Sequence, residues 1–204
     1  MHWTLPENRF TTIVENEANG DPIIGTDTNS AQGPSKMLLL HLDRCLEIVK
    51  KIQAESSQRS IRLATAESCT GGLLASVLTH YPGSSHFYQG GLCTYSNDAK
   101  IRLLGVPKKT LDEYGAVSEQ TAKAMARGAL EKFNGNFAIS VTGIAGPEGG
   151  TPTKPVGMIC CGFGHNHTIV ARTYRLGKDR LANRSEIVAL ALGEIYRLIT
   201  QNEP

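Results

Sequence analysis

The sequence predicts an α/β fold: a single three-layer α/β/α domain with a mixed sheet of about five strands. Three observations carry that prediction. Apolar segments of strand length alternate with segments whose apolar residues recur at helical period. The last two strand-like segments follow one another with no helix between them, which makes the sheet mixed. The 204 residues suffice for one sizeable core without demanding two large domains.

The elements follow in chain order. Residues 1–35 contain "NEANGDPIIGTDTNSAQGPS", rich in Gly, Asn, Asp, Thr and Pro, and read as a mobile or loosely docked extension. Within it, Ile13–Val14 or Ile23–Ile24 could dock as an edge strand. The domain then spans 36–204. Ser35 is placed to cap a first helix, in which Leu38, Leu42, Leu46, Val49 and Ile52 recur at helical spacing. Ile61–Thr65 is a strand and Gly71–Thr79 a helix. "FYQGGLCTYS" is a second strand, whose Gly90–Gly91 pair signals a bulge or a close backbone approach. "NDAKIRLLGV" is a short helix stopped by Gly105, and Pro107 opens another. "SEQTAKAMARGALEKF" is a helix with Ser118 near its start and a packed face of Ala122, Met125, Ala126, Ala129 and Phe133. "NFAISVTG" is a strand, and "VGMICCGFG" with "HTIVARTYRL" forms a hairpin turning at Gly164–His167. Ile187, Leu190, Ala191, Glu194 and Ile195 mark a long final helix.

Composition narrows the function classes. No run approaches the roughly 18 apolar residues of a spanning helix, and no basic segment followed by an apolar one suggests a signal peptide; a cytoplasmic location is the default. Five cysteines form no C-x-x-C pair, and the histidines form no metal-ligand pattern, so neither a disulfide framework nor a metal site is expected. Residues 1–35 hold five acids (Glu7, Glu15, Glu17, Asp21, Asp27) against Arg9, leaving 20 basic and 14 acidic residues from Lys36 onward. That excess suits a phosphorylated small molecule. Without a dense basic patch interleaved with aromatics it is no nucleic-acid footprint.

Chemistry concentrates in three places. Ser68 falls directly after a strand and before a helix start, where free backbone N–H groups favour a phosphate or a developing oxyanion. It can be a nucleophile or merely the helix cap, and Cys69 beside it is either a rival nucleophile or a small core filler. In "YSNDAK", Lys100 stands about one turn into a helix; it is either a solvated lysine or, partly desolvated, a base for Ser68. Tyr95 could hydrogen-bond to either or simply pack. In "SVTGIAGPEGGTPTKPVG", Thr142 ends a strand and a long glycine-rich loop follows, too long for an ordinary connection and lacking the order of a P-loop. Arg175, Lys178, Arg180 and Arg184 gather further on, for phosphate, for another subunit, or simply as solvated charge.

From about Lys36 to its end the chain resembles the C-terminal domain of the CinA competence/damage-inducible family, particularly its stand-alone nicotinamide-nucleotide amidase form. "AESCTGG", "GGLCTYSNDAK", "LLGV", "GAVS" and "SVTGIAGPEGGTPTKPVG" carry the resemblance, in order. It implies hydrolysis of the carboxamide of nicotinamide mononucleotide to nicotinate mononucleotide and ammonia, with no cofactor. Ser68 is then the nucleophile and Lys100 the base, with Tyr95 and Thr142 in the catalytic group. Substrate-binding roles fall to Glu67, Thr70, Gly71, Gly72, Gly143, Gly146, Gly149, Gly150, Arg180 and Arg184. The expected partner is the mononucleotide, with no nucleic acid and no membrane; self-association is common among compact members, which leaves a homo-oligomer open. Larger members add a domain resembling molybdopterin-binding proteins, for which these residues have no room. The chain departs from the pattern at Glu148, often a glycine, at Lys178, which separates Gly177 from Asp179, and at Asn183, usually apolar. The alternative is a catalytically inactive nucleotide-binding or regulatory protein of the same family.

Overall fold

A computed structural model describes residues 34–177 and 179–201, with side chains from Leu40 onward. The extension expected over 1–35, including its two edge-strand candidates, falls outside the described residues except for Pro34 and Ser35. Ser35 lies inside α1 (Pro34–Glu55) rather than at its cap. The elements that follow are β1 (Leu63–Glu67), α2 (Leu73–Leu78), a single 3₁₀ turn (Ser84–His86), β2 (Tyr88–Cys93), α3 (Asn97–Leu104), α4 (Lys108–Tyr114), α5 (Glu119–Phe133), β3 (Phe137–Gly143), β4 (Met158–His165), β5 (Thr168–Arg175) and α6 (Arg180–Gln201).

The five strands form one mixed sheet in the order β2-β1-β3-β4-β5. β1 runs parallel to both β2 and β3, whereas β4 runs antiparallel to β3 and β5. Connectivity dictates this arrangement: helices carry the chain between the first three strands, and a two-residue turn at Asn166–His167 joins the last two. The carboxyl ends of β1, β2 and β3 therefore lie together at one end of the sheet.

Side chains alternate across the sheet and bury two cores. On one face Leu63, Phe137, Ile139 and Val141 pack with Val49 and Ile52 of α1, Leu74 and Leu78 of α2, and Ile187, Leu192 and Ile195 of α6. On the other, Ala64, Ala66 and Ala138 meet Leu104 of α3, Leu111 of α4 and Met125, Ala126 and Ala129 of α5. Small strand residues face the second helical layer, so its helices lie close to the sheet.

Several boundaries shift for local reasons. β1 starts at Leu63 rather than Ile61 because the Arg62 N–H donates to the Asn136 side chain, at 2.7 Å, before the ladder begins. Helix α2 starts at Leu73, since Gly71 and Gly72 hold left-handed φ values of +60° and +93°. The Gly90–Gly91 pair accompanies a register break opposite Leu63/Ala64. A Cβ at Gly91 would collide with the hydroxyl pair of Thr65 and Tyr88.

Candidate functional site

Strand β1 delivers Ser68 at its carboxyl end, facing the α3–α5 layer. Ser96 caps α3 by accepting the Ala99 N–H at 3.1 Å, which fixes the helix start one turn ahead of Lys100. Lys100 then reaches back across 32 positions, and its Nζ donates to Ser68 Oγ at 3.0 Å and to the Thr94 carbonyl at 2.8 Å. Ser68 is 8% exposed and Lys100 only 1%. Burial depresses the Lys100 pKa below its ordinary value of 10.5, against a smaller opposing effect of Cys69 and Cys93. Desolvation, rather than nearby positive charge, is what favours the neutral amine here.

The turn that presents Ser68 is fastened from two sides. Glu67 directs its carboxylate away from Ser68, to the opposite face of the sheet. There Oε2 accepts the N–H groups of Gly72 and Leu74 at 2.9 and 3.2 Å, and Oε1 that of Ala75 at 2.9 Å. Arg184, from α6, donates Nε and Nη2 to the Thr70 carbonyl at 3.2 and 2.6 Å. The expected anion platform at the start of α2 is thus filled by an internal anion. Gly71 N–H is also engaged, donating to the Ser68 carbonyl at 3.1 Å. Of the turn's N–H groups, that of Thr70 has no acceptor among the described residues, and that of Cys69 meets its own thiol. The Thr70 hydroxyl is buried with no hydrogen-bond partner among the described residues. Cys69 is a core residue at 4% exposure, and burial pushes its thiol up to about 12, so at neutral pH it is not a thiolate.

The third part of the site comes from β3 and the loop after it. Val141 is the register partner of Glu67, so Thr142 and Ser68 follow side by side on the same face. The Thr142 hydroxyl donates to the Ala116 carbonyl at 2.8 Å, tying β3 to the loop before α5. Beyond Gly143 the loop is pinned near its start, where Asn183 Nδ2 donates to the Ala145 carbonyl at 3.1 Å and Arg180 Nη1 to the Gly146 carbonyl at 2.9 Å. Arg180 Nη2 also reaches the Tyr95 hydroxyl at 3.2 Å, linking this loop to the segment that leads into α3. Tyr95 itself is 62% exposed. Glu148, Gly149 and Gly150 form the exposed tip. Lys154 fastens the returning limb, donating to the Tyr114 carbonyl at 2.6 Å.

The structure therefore gathers Ser68, Lys100, Tyr95, Thr70, Gly146, Arg180 and Arg184 around the strand ends. It turns the Glu67 carboxylate and the Thr142 hydroxyl to internal partners, and leaves Gly149 and Gly150 at the loop tip. The sequence patterns assign no site role to Thr94, Asn183 or Lys154. Thr94 acts through its main-chain carbonyl, which leaves no trace in residue type. Lys178 of the basic group falls outside the described residues. Among the described residues no cluster of His, Cys, Asp and Glu could hold a metal ion, and no helix is long and apolar enough to cross a membrane. A groove of about 530 Å³, lined by Arg127, Leu130, Asn166 and His167 among others, lies at the opposite end of the sheet.

Fold and site together define a class: an α/β/α domain that holds a serine and a lysine in buried contact where its parallel strands end. The chain belongs to the CinA C-terminal domain family, whose family model matches residues 46–199. It is similar to a CinA-like protein of Chloroherpeton thalassium, 49% identical over 145 residues that cover 69% of this chain and 34% of that protein. A CinA-like protein of Chlorobium limicola is 46% identical over 160 residues, 76% of this chain and 37% of that one. The chain spans about a third of the length of these relatives. Among solved structures, the competence/damage inducible protein CihA from Agrobacterium tumefaciens superposes with a TM-score of 0.74 at 41% identity, covering 76% of this chain and 95% of that one. A CinA superfamily protein from Escherichia coli gives a TM-score of 0.66 at 30% identity, covering 83% and 94%.

Proposed function

We propose that this domain hydrolyses the carboxamide of nicotinamide mononucleotide, releasing ammonia and nicotinate mononucleotide. The observation that carries the reading is the buried 3.0 Å contact between Lys100 Nζ and Ser68 Oγ. A serine hydroxyl is a weak nucleophile until a base takes its proton. A lysine amine can be that base only if neutral, and the desolvation of Lys100 favours that form.

Ser68 Oγ attacks the carboxamide carbon while its proton passes to Lys100. The Thr70 N–H is the turn's remaining donor for the oxyanion. As the C–N bond breaks, Lys100 returns the proton to the departing ammonia. Water then attacks the acyl-serine ester, giving one proton to Lys100 and restoring the Ser68 hydroxyl. Arg180, which lies between Tyr95 and Gly146 at the exposed side, suits the substrate phosphate as a planar, permanent cation.

An ammonia-release assay tests the proposal on the mononucleotide, its riboside and the dinucleotide. Release from the mononucleotide, with a much lower kcat/KM for the riboside, is expected. Tight mononucleotide binding without ammonia release would instead favour the inactive nucleotide-binding alternative.

A further inference from the structure

Glu67 immediately precedes Ser68, yet the two side chains leave the strand on opposite faces. Glu67 is 2% exposed, and its carboxylate accepts three backbone N–H groups from the turn and first residues of α2. The first N–H groups of a helix have no intrahelical acceptor, and a negative charge complements the positive potential there. An acid five to eight positions upstream satisfies them here, so the intervening turn is closed into a loop with Ser68 at its start. The main chain of Glu67 is held as well: its carbonyl accepts the Thr94 N–H at 2.7 Å. Thr94 in turn offers its own carbonyl to Lys100 Nζ at 2.8 Å. One residue is thus bonded into both the turn that carries the serine and the segment that anchors the lysine.

We infer that Glu67 is a positioning residue: its buried carboxylate locks the 68–72 turn, holding Ser68 Oγ in line with Lys100 Nζ without touching substrate. Glutamine at this position keeps the shape but sets an NH₂ group against at least one backbone N–H. Aspartate keeps the charge but is one methylene short of α2. The inference rests on the amide-hydrolase reading for its turnover readout only.

The test compares wild type, Glu67→Gln and Glu67→Asp by kcat and KM for ammonia release from the mononucleotide, and by the rate at which a fluorophosphonate labels Ser68. Labelling forms the Oγ–P bond and expels fluoride, so it reports serine reactivity independently of the natural substrate. Glu67→Gln should lower both kcat and labelling by roughly 10- to 100-fold, the scale of a small misplacement of reacting groups. KM should stay within about threefold, since no substrate contact is lost. Glu67→Asp should recover part of both rates. A raised KM with unchanged kcat and labelling would make Glu67 a substrate contact and overturn the inference. So would wild-type rates in folded Glu67→Gln. If wild type labels but releases no ammonia, the substrate reading fails, and slower labelling of Glu67→Gln still upholds the positioning role. Should Glu67→Gln not fold, Ala75→Pro removes the N–H that Oε1 accepts while keeping the Ala75 carbonyl, within the first turn of α2. Several-fold slower labelling supports the inference, and unchanged labelling overturns it.

Discussion

The two segments that flank the site are built on opposite plans. The β1–α2 turn, residues 68–72, is five residues long and held by charged side chains from both sides, Glu67 on its Gly72 N–H and Arg184 on its Thr70 carbonyl. The β3–β4 loop, residues 144–157, is long and exposed at its tip, and its fastenings lie at its start and on its returning limb, through Arg180, Asn183 and Lys154. Bonding density follows the task each segment can perform. A nucleophile must hold its geometry to a fraction of an ångström, whereas a loop that admits a ligand gains from a tip able to adjust.

If this contrast is functional, substitutions in the short turn should damage the chemical step, and those in the loop should damage stability or binding. Ser68→Ala should show the largest effect: turnover falls by roughly 10³-fold or more, while the lost hydrogen bond costs stability only about 0.5–1.5 kcal/mol. Steady-state kinetics and a thermal melt on the same preparation check both halves. Near-normal turnover in a folded Ser68→Ala protein would break the contrast outright.

Lys100→Arg comes next, since a guanidinium stays protonated and cannot accept the serine proton. Single-turnover rates should drop roughly 10²- to 10⁴-fold. The wild-type rate should rise with pH through the depressed pKa of Lys100, at a midpoint below 10.5, and this rise should vanish in the variant. Stability has a matching signature. Between the lowered folded pKa and 10.5, the unfolded chain binds more protons than the folded one, so stability increases with pH across that window. Lys100→Met should lose that slope, as denaturant titrations at several pH values can measure.

A glycine pair sharpens the comparison at smaller magnitude. Gly72 and Gly146 both sit at left-handed φ, +93° and +90°. A Cβ on Gly72 meets nothing within 4 Å, whereas one on Gly146 comes to 2.5 Å from Val156 Cγ1. Gly72→Ala should therefore cost only backbone strain, about 1–2 kcal/mol. Gly146→Ala should add overpacking of about 1–3 kcal/mol. Equal denaturation midpoints for the two would show that the loop yields freely around Val156.

Thr142→Val should have the smallest effect. Its hydroxyl serves the Ala116 carbonyl, so the expected loss is about 1 kcal/mol of stability, with kcat reduced less than tenfold. A collapse in kcat at normal stability would return Thr142 to the chemical group.

Much of this protein was legible before its structure. Apolar periodicity placed α5 and α6 because each buries one continuous stripe: Ala122, Met125, Ala126 and Ala129 in the first, Ile187, Ala191 and Ile195 in the second. Glycine and proline marked the turns, and the strand–Ser68–helix order placed the serine at a sheet end.

Tertiary structure decided what each polar group faces. Nothing local separates an exposed Lys100 from one that is 1% exposed, because its burial depends on β1, β2 and α3 converging from 32 positions apart. The family resemblance assigns Glu67 and Arg184 to substrate binding and Thr142 to the catalytic group. Their hydrogen bonds run instead to backbone groups 5–8, 26 and 114 positions away, pairings set only when the strands align and α6 docks. The sequence by itself determined the elements and the cluster of reactive residue types, because periodicity and turn chemistry act over a few residues. Which of those residues are free to act, and which are committed to holding the others, depends on long-range packing that no local pattern encodes.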